Sequence, residues 1–186
     1  FTEGYTTSSG EAVIKRDICY EAIRLALLMT ENSSTNVSEV HALISLMCFH
    51  ASRFDARVDE EGDLIDLEHQ DRSKYNRELL RNGMNHFRIA KNKPAQSPSY
   101  YLQAAVSYQY CEASSFEEIR WKSILEIYDL QLKYSFSPII QLNRVIPYYK
   151  VYGAQKGLAL LEEISEDIDV NNYGLFHSIK AQLYLE

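Results

Sequence analysis

Residues 8–29 read SSGEAVIKRDICYEAIRLALLM, and their spacing decides the fold class. Ser8 and Glu11 stand three apart, the arrangement in which a hydroxyl and a carboxylate cap the first amides of a helix reciprocally. Ile14, Ile18, Ala22, Leu25 and Met29 then recur every three or four residues, which places them on one helical face. The pattern predicts a helix over residues 10–30 with that stripe turned inward. Asn36 and Glu39 open a second helix, which carries Val40, Ile44, Met47 and Ala51 on one face and reaches Phe54. The polar segment 31–35 is the turn between them, so the first 54 residues read as an antiparallel helix pair.

Residues 57–67, RVDEEGDLIDL, alternate polar and apolar positions around a glycine, which predicts a short β-hairpin insert. Helical signals resume over residues 71–91, and Asn92, Pro94 and Pro98 then mark the most linker-like stretch. That stretch divides the chain into residues 1–93 and 94–186, two parts of what reads as one continuous domain. Further helices are expected over 99–111, over 116–134 behind the pairs Ser114/Glu117 and Ser115/Glu118, over 138–152, over 154–165 and from Tyr173 onward. Pro138 suits the first turn of its helix. Pro147 removes a hydrogen bond from the interior of the same helix and predicts a kink or an early end. The expected architecture is all-α: stacked, tetratricopeptide-like helix hairpins with one short β-hairpin near residues 57–67.

A chain of 186 residues that is 46% hydrophobic can bury a substantial core. Its net charge of -7 argues against a surface that grips phosphate backbones. No apolar run approaches the roughly 20 residues of a membrane span. The chain opens on Phe1 without an initiator methionine or a signal-like segment, which reads as a cut inside a longer protein. Cys19, Cys48 and Cys111 are odd in number and lack C-x-x-C spacing, as expected of core residues in a reducing cytoplasm. The five histidines form no metal-ligand spacing, and no phosphate loop or nucleophile elbow is present, so neither a cofactor nor a metal is expected and the chain does not read as an enzyme. The 14 tyrosines read as packing and groove lining.

Charge falls in blocks. From Asp55 to Asp71 eight acids stand against Arg57 alone, and from Arg72 to Lys93 seven bases stand against Glu78 alone. Lys74, Arg77, Arg81 and Arg88 share one helical stripe, expected as a solvated face balanced by the acidic segment.

Motifs in a fixed order carry a resemblance. Phe1, Glu3, Gly4 and Tyr5 stand near the start, Glu21 to Leu25 follow as Glu-Ala-Ile-Arg-Leu, and Ala56, Arg57, Asp59 and Gly62 come next. Gln70-Asp71-Arg72-Ser73, Tyr101-Leu102-Gln103-Ala104-Ala105 and Leu142-Asn143-Arg144 complete the series. In this order they resemble the C-terminal extension of one group of extracytoplasmic-function (ECF) RNA polymerase sigma factors. Tyr75 takes the place of the usual tryptophan, and Val145-Ile146-Pro147 replaces the usual Ala-Val-Ala after Asn143-Arg144. The resemblance implies a cytoplasmic regulatory domain of a transcription-initiation factor. It would dock on the sigma core of its own polypeptide or on RNA polymerase, while DNA is contacted by the preceding domains. A stand-alone helical scaffold for another protein is the alternative. The candidate polar network comprises Glu3, Tyr5, Glu21, Arg24, Arg53, Arg57, Asp71, Arg72, Asn143 and Arg144. Arg53 and Arg57 are four apart, and Asp71-Arg72 and Glu21/Arg24 are their expected partners.

Overall fold

In the computed structural model, residues 1–5, 14–167, 169 and 172–186 are described, Glu3 and Gly4 by backbone alone. The architecture is all-α, with helices stacked in two compact units, Phe1–Ile119 and Arg120–Glu186. The first holds α1 (Thr2–Tyr5), α2 (Arg16–Leu28), α3 (Ser38–Ala51), α4 (Phe54–Arg57), a 3₁₀ turn at Arg72–Lys74, α5 (Arg77–Asn92) and α6 (Ser99–Glu112). The second holds α7 (Trp121–Tyr134), α8 (Pro138–Tyr152), α9 (Ala154–Asp167) and α10 (Gly174–Leu183). The units meet in sequence at 119/120 rather than at 93/94. The proline-containing segment 93–98 lies inside the first unit, where it turns α5 into α6 and is tied back by Glu39 Oε1, which accepts from Ser97 N at 2.9 Å.

Helix α3 is the hub of the first unit. It is apolar nearly all round, burying Val40, Ala42, Ile44, Met47, Cys48, Phe49 and Ala51, as a helix covered on several sides must. Helices α2, α5 and α6 pack around it. Gly83 lets α5 approach: a Cβ there would lie 2.8 Å from the Phe49 ring. Asn76 caps α5 by accepting from Glu78 N and Leu79 N, both at 3.0 Å. Between the same two helices His41 Nδ1 and His86 Nδ1 meet at 2.8 Å, with His41 Nε2 3.0 Å from Asn36 Oδ1.

Three expectations are corrected here. The inward face of α2 is Cys19, Ile23 and Ala26, whereas Ile18, Leu25 and Met29 of the expected stripe are exposed. Two apolar stripes run along this helix, and the one with smaller side chains wins because it lets α2 lie closer to α3. The proposed Ser8/Glu11 cap falls outside the described residues. Residues 57–67 form no strand: a single antiparallel bridge joins Val58 and Leu64, below a turn in which Gly62 has φ +94°. Asp59 Oδ1 accepts from Asp63 N at 2.7 Å within that turn. Val58 packs on the core, but Leu64 opposite it is exposed, so the pair covers little apolar surface and pairing stops at one bridge. Finally, α7 begins at Trp121, not at residue 116: Ser114 spends its hydroxyl on the Glu118 carboxylate instead of on a helix amide.

The second unit has an apolar core of Leu142, Val145, Tyr149, Leu161, Ile164, Phe176, Ile179 and Leu183, with the Gln131 amide buried on α7. Helix α8 begins at Pro138 and continues through the buried Pro147 to Tyr152. It ends at Gly153, whose φ of +94° is open to glycine and costly for other residues. Gly157 then packs α9 against α8, where a Cβ would lie 2.6 Å from that of Tyr149. Cys19 and Cys48 are buried, as expected of core thiols, and burial raises the pKa of Cys19, Cys48 and Cys111 alike, Cys48 to about 12. No described helix is long and apolar enough to cross a membrane.

Candidate functional site

The junction of α3 and α4 collects most of the charged residues singled out from sequence. Arg53, 8% exposed, ends the α3 turn and points inward. Its Nε donates to Gln70 Oε1 at 3.1 Å, and Tyr75 Oη donates to the same oxygen at 3.1 Å. Gln70 Nε2 donates in turn to Ile65 O at 3.0 Å, so one amide fastens the acidic loop to the core. The partner of Arg53 is therefore a neutral side chain, not the carboxylate expected. A neutral acceptor returns less Coulomb energy to a buried guanidinium than a carboxylate would, while a single amide fixes the loop geometry.

Arg57 turns inward as well. Its guanidinium carbon lies 4.0 Å from the centroid of the Tyr5 ring, a cation–π contact of the partly desolvated kind. Burial lowers the pKa of Arg57, Tyr5 opposes that shift, and its Nη1 is sealed without a hydrogen bond. The Tyr5 ring meets His50 edge-on at 4.6 Å, while Phe1 stacks on Tyr5 at 5.8 Å. His50 Nε2 lies 3.4 Å from Ser107 Oγ, and its Nδ1 is sealed and unpartnered. Burial first, then Arg53 and Arg57, push His50 down to about 3, so its ring is neutral at physiological pH.

Arg72 does a different task. Its Nη1 donates to Tyr110 O at 2.7 Å and Ala113 O at 3.0 Å, capping the C-terminal carbonyls of α6 with a positive charge. It also lies 5.7 Å from the Tyr75 ring, which links it to the Arg53 cluster. Burial raises the pKa of Tyr75 and carries Tyr110 up to about 12. Asp71 faces solvent and accepts from Ser73 N at 2.9 Å, closing its own turn.

The remaining candidates lie elsewhere. Glu21 and Arg24 pair with each other at 2.7 Å on the exposed side of α2. Asn143 donates to Ile139 O at 2.9 Å within α8, and Arg144 bridges to Asp129 of α7 at 2.5 Å. Glu3 is described by backbone only, within α1. Among the described residues no ion pair joins the acidic and basic blocks, and Lys74, Arg77, Arg81 and Arg88 stand exposed. Sequence reasoning missed His50, although it stands three and seven residues before Arg53 and Arg57 and so faces the same way. It also missed Gln70 as the shared acceptor, although that residue opens the Gln-Asp-Arg-Ser block.

The arrangement positions backbone. It fixes α1, the acidic loop and the end of α6 to one helix junction. Residues 1–91 match the family of unknown function DUF6596. That match spans α1 to α5 and includes Tyr5, Arg53, Arg57, Gln70, Arg72 and Tyr75. Over 183 residues the chain is 29% identical to "Uncharacterized protein R00370" of Rhizobium meliloti (strain 1021). The similarity covers 98% of this chain and 42% of that protein, so the chain spans about two fifths of its relative's length. No solved structure matches.

Proposed function

We propose that this chain is the C-terminal regulatory and protein-interaction domain of an ECF-type RNA polymerase sigma factor. It acts in the cytoplasm on transcription initiation by docking on the sigma core or on polymerase. The order of the sequence motifs supports this reading, and so does the greater length of the relative. The observation that carries it is the seating of residues 1–5. In the resemblance, this segment lies near the opening of the extension, just after an apolar strip that follows the promoter-binding domains. Here it is a helical turn packed by Phe1 and Tyr5 on His50, Phe54 and Arg57. A segment packed in this way holds whatever precedes it against the first unit and restricts its swing.

Arg53, Arg57 and Arg72 are then positioning residues that hold this segment and the acidic loop in place, since their head groups are turned inward. The test is a titration of this chain against the separately produced sigma core at two salt concentrations. Saturable binding that weakens with salt is the expected result. A core that transcribes from its promoter and never binds the chain overturns the reading in favour of a scaffold for another protein.

A further inference from the structure

Among the described residues nothing covers the outward face of α2. Ile18, Leu25, Leu28 and Met29 are each 41–51% exposed, on a helix whose opposite face is well packed. Their spacing of seven, three and one places them along one side over three turns, the footprint of a partner helix. Of the expected inward stripe, Ile14 is buried ahead of the helix and Ala22 is half-buried, while the other three face outward.

Charge along this helix is largely paired off. Arg24 pairs with Glu21 and Arg16 with Asp55, which leaves Asp17 exposed in the first turn. Arg16 and Tyr20, whose ring lies 6.0 Å from Phe54, hold α2 against the root of the acidic loop. That loop exposes Asp59, Glu60, Glu61, Asp63, Asp66 and Glu68, and its one arginine, Arg57, is folded inward over Tyr5. A second copy of the chain would bring another net charge of -7 to the same place. A module that binds promoter DNA must instead display lysine and arginine, because phosphate contacts supply most of its affinity.

We propose that this face of α2 docks an amphipathic helix with basic flanks, contributed by the promoter-binding core of the same polypeptide. The proposal rests on the function proposed above and gives it a mode of control. While the helix is seated on α2, its basic flanks face the acidic loop, so that loop and DNA compete for one basic surface.

Two probes test it against the 186-residue chain: the separately produced core, and a Leu/Lys amphipathic peptide two heptads long, with its Leu/Glu counterpart as control. The comparison is with the double variant Leu25→Ser/Met29→Ser. Both positions face solvent, so its far-UV circular dichroism should match the parent's. The expected result is binding of both basic probes, a loss of about tenfold or more in the variant, and none of the Leu/Glu peptide. Equal binding of the core by parent and variant overturns the α2 proposal and leaves the function standing. Binding of the Leu/Lys peptide but not of the core overturns the core as occupant, and with it the function. Self-association in sedimentation that vanishes in the variant assigns the face to a second copy and overturns the proposal.

Discussion

The two units solve the problem of holding helices together in different ways. The second is an apolar stack with one buried amide, Gln131, whose charged contacts, Arg144 with Asp129 and Lys150 with Glu186, lie partly exposed at its edge. The first keeps Arg53, His50, Gln70 and Tyr75 inside or nearly so, with Arg57 and Arg72 turned toward them. An apolar core tolerates small shifts in register, because any good contact replaces another. A buried guanidinium with one acceptor tolerates few, because each misplacement leaves a desolvated group unmade. The difference teaches where precision is being held: at α1, the acidic loop and the α6 end, the parts that meet at the α3–α4 junction.

Acid should separate the units most. The ordinary pKa of histidine is about 6.5, and His50 is held near 3, with His41 and His86 also lowered, chiefly by burial and then by Lys93 and by His41 respectively. A histidine lowered on folding takes up its proton more readily in the unfolded chain. Its contribution is therefore whole above about pH 6.5 and is lost as pH falls from there toward 3, by a few kcal/mol at most for the group. Trp121, the single tryptophan, reports on the second unit, and circular dichroism reports on both. Melts between pH 7 and pH 4 should lower the dichroism transition first. If tryptophan fluorescence moves in step with it, the contrast between the units is broken.

Arginine removal should come next. Arg53→Ala removes one of the two donors to Gln70 Oε1 and opens a cavity, at a cost of about 3 kcal/mol in urea unfolding. Arg144→Ala removes a partly exposed pair worth under about 1 kcal/mol. Equal shifts in the two midpoints would mean that the inward arginine is no more demanding than the outer one.

Glycine replacement gives the smallest and most finely graded comparison. At Gly157 an added methyl meets the Cβ of Tyr149, which cannot yield unless α8 itself moves, so Gly157→Ala should cost about 2 kcal/mol. At Gly83 it meets the edge of the Phe49 ring, which can tilt, so Gly83→Ala should cost about 1 kcal/mol. A reversed order in thermal melts would make α3 and α5 the more rigid pair.

Periodicity was a good guide where one apolar stripe existed. The span of α8 was legible at both ends, from Pro138 and from the glycine at 153. It failed at α2, where Ile18/Leu25/Met29 and Cys19/Ile23/Ala26 both have helical spacing and only the neighbouring α3 decides between them. The alternation at 57–67 was real but covers too little surface for more than one bridge, since Val58 packs on the core while Leu64 opposite it is exposed. Arg53 and Arg57 were visible as a facing pair, yet the partner of the first is an amide 17 positions away rather than a carboxylate, and no charge pattern signals an amide. Ser114 was misread because a hydroxyl beside glutamates can serve a helix end or a side chain, and local spacing does not distinguish the two.

The shelter of the three thiols has a practical consequence. With Cys19 and Cys48 buried and all three pKa values raised, thiolate is scarce at neutral pH and maleimide chemistry has little to attack. The native chain is thus a quiet background for labelling. A cysteine introduced at exposed Glu60 would carry a fluorophore there, and the movement of the acidic loop would become visible as a change in its emission.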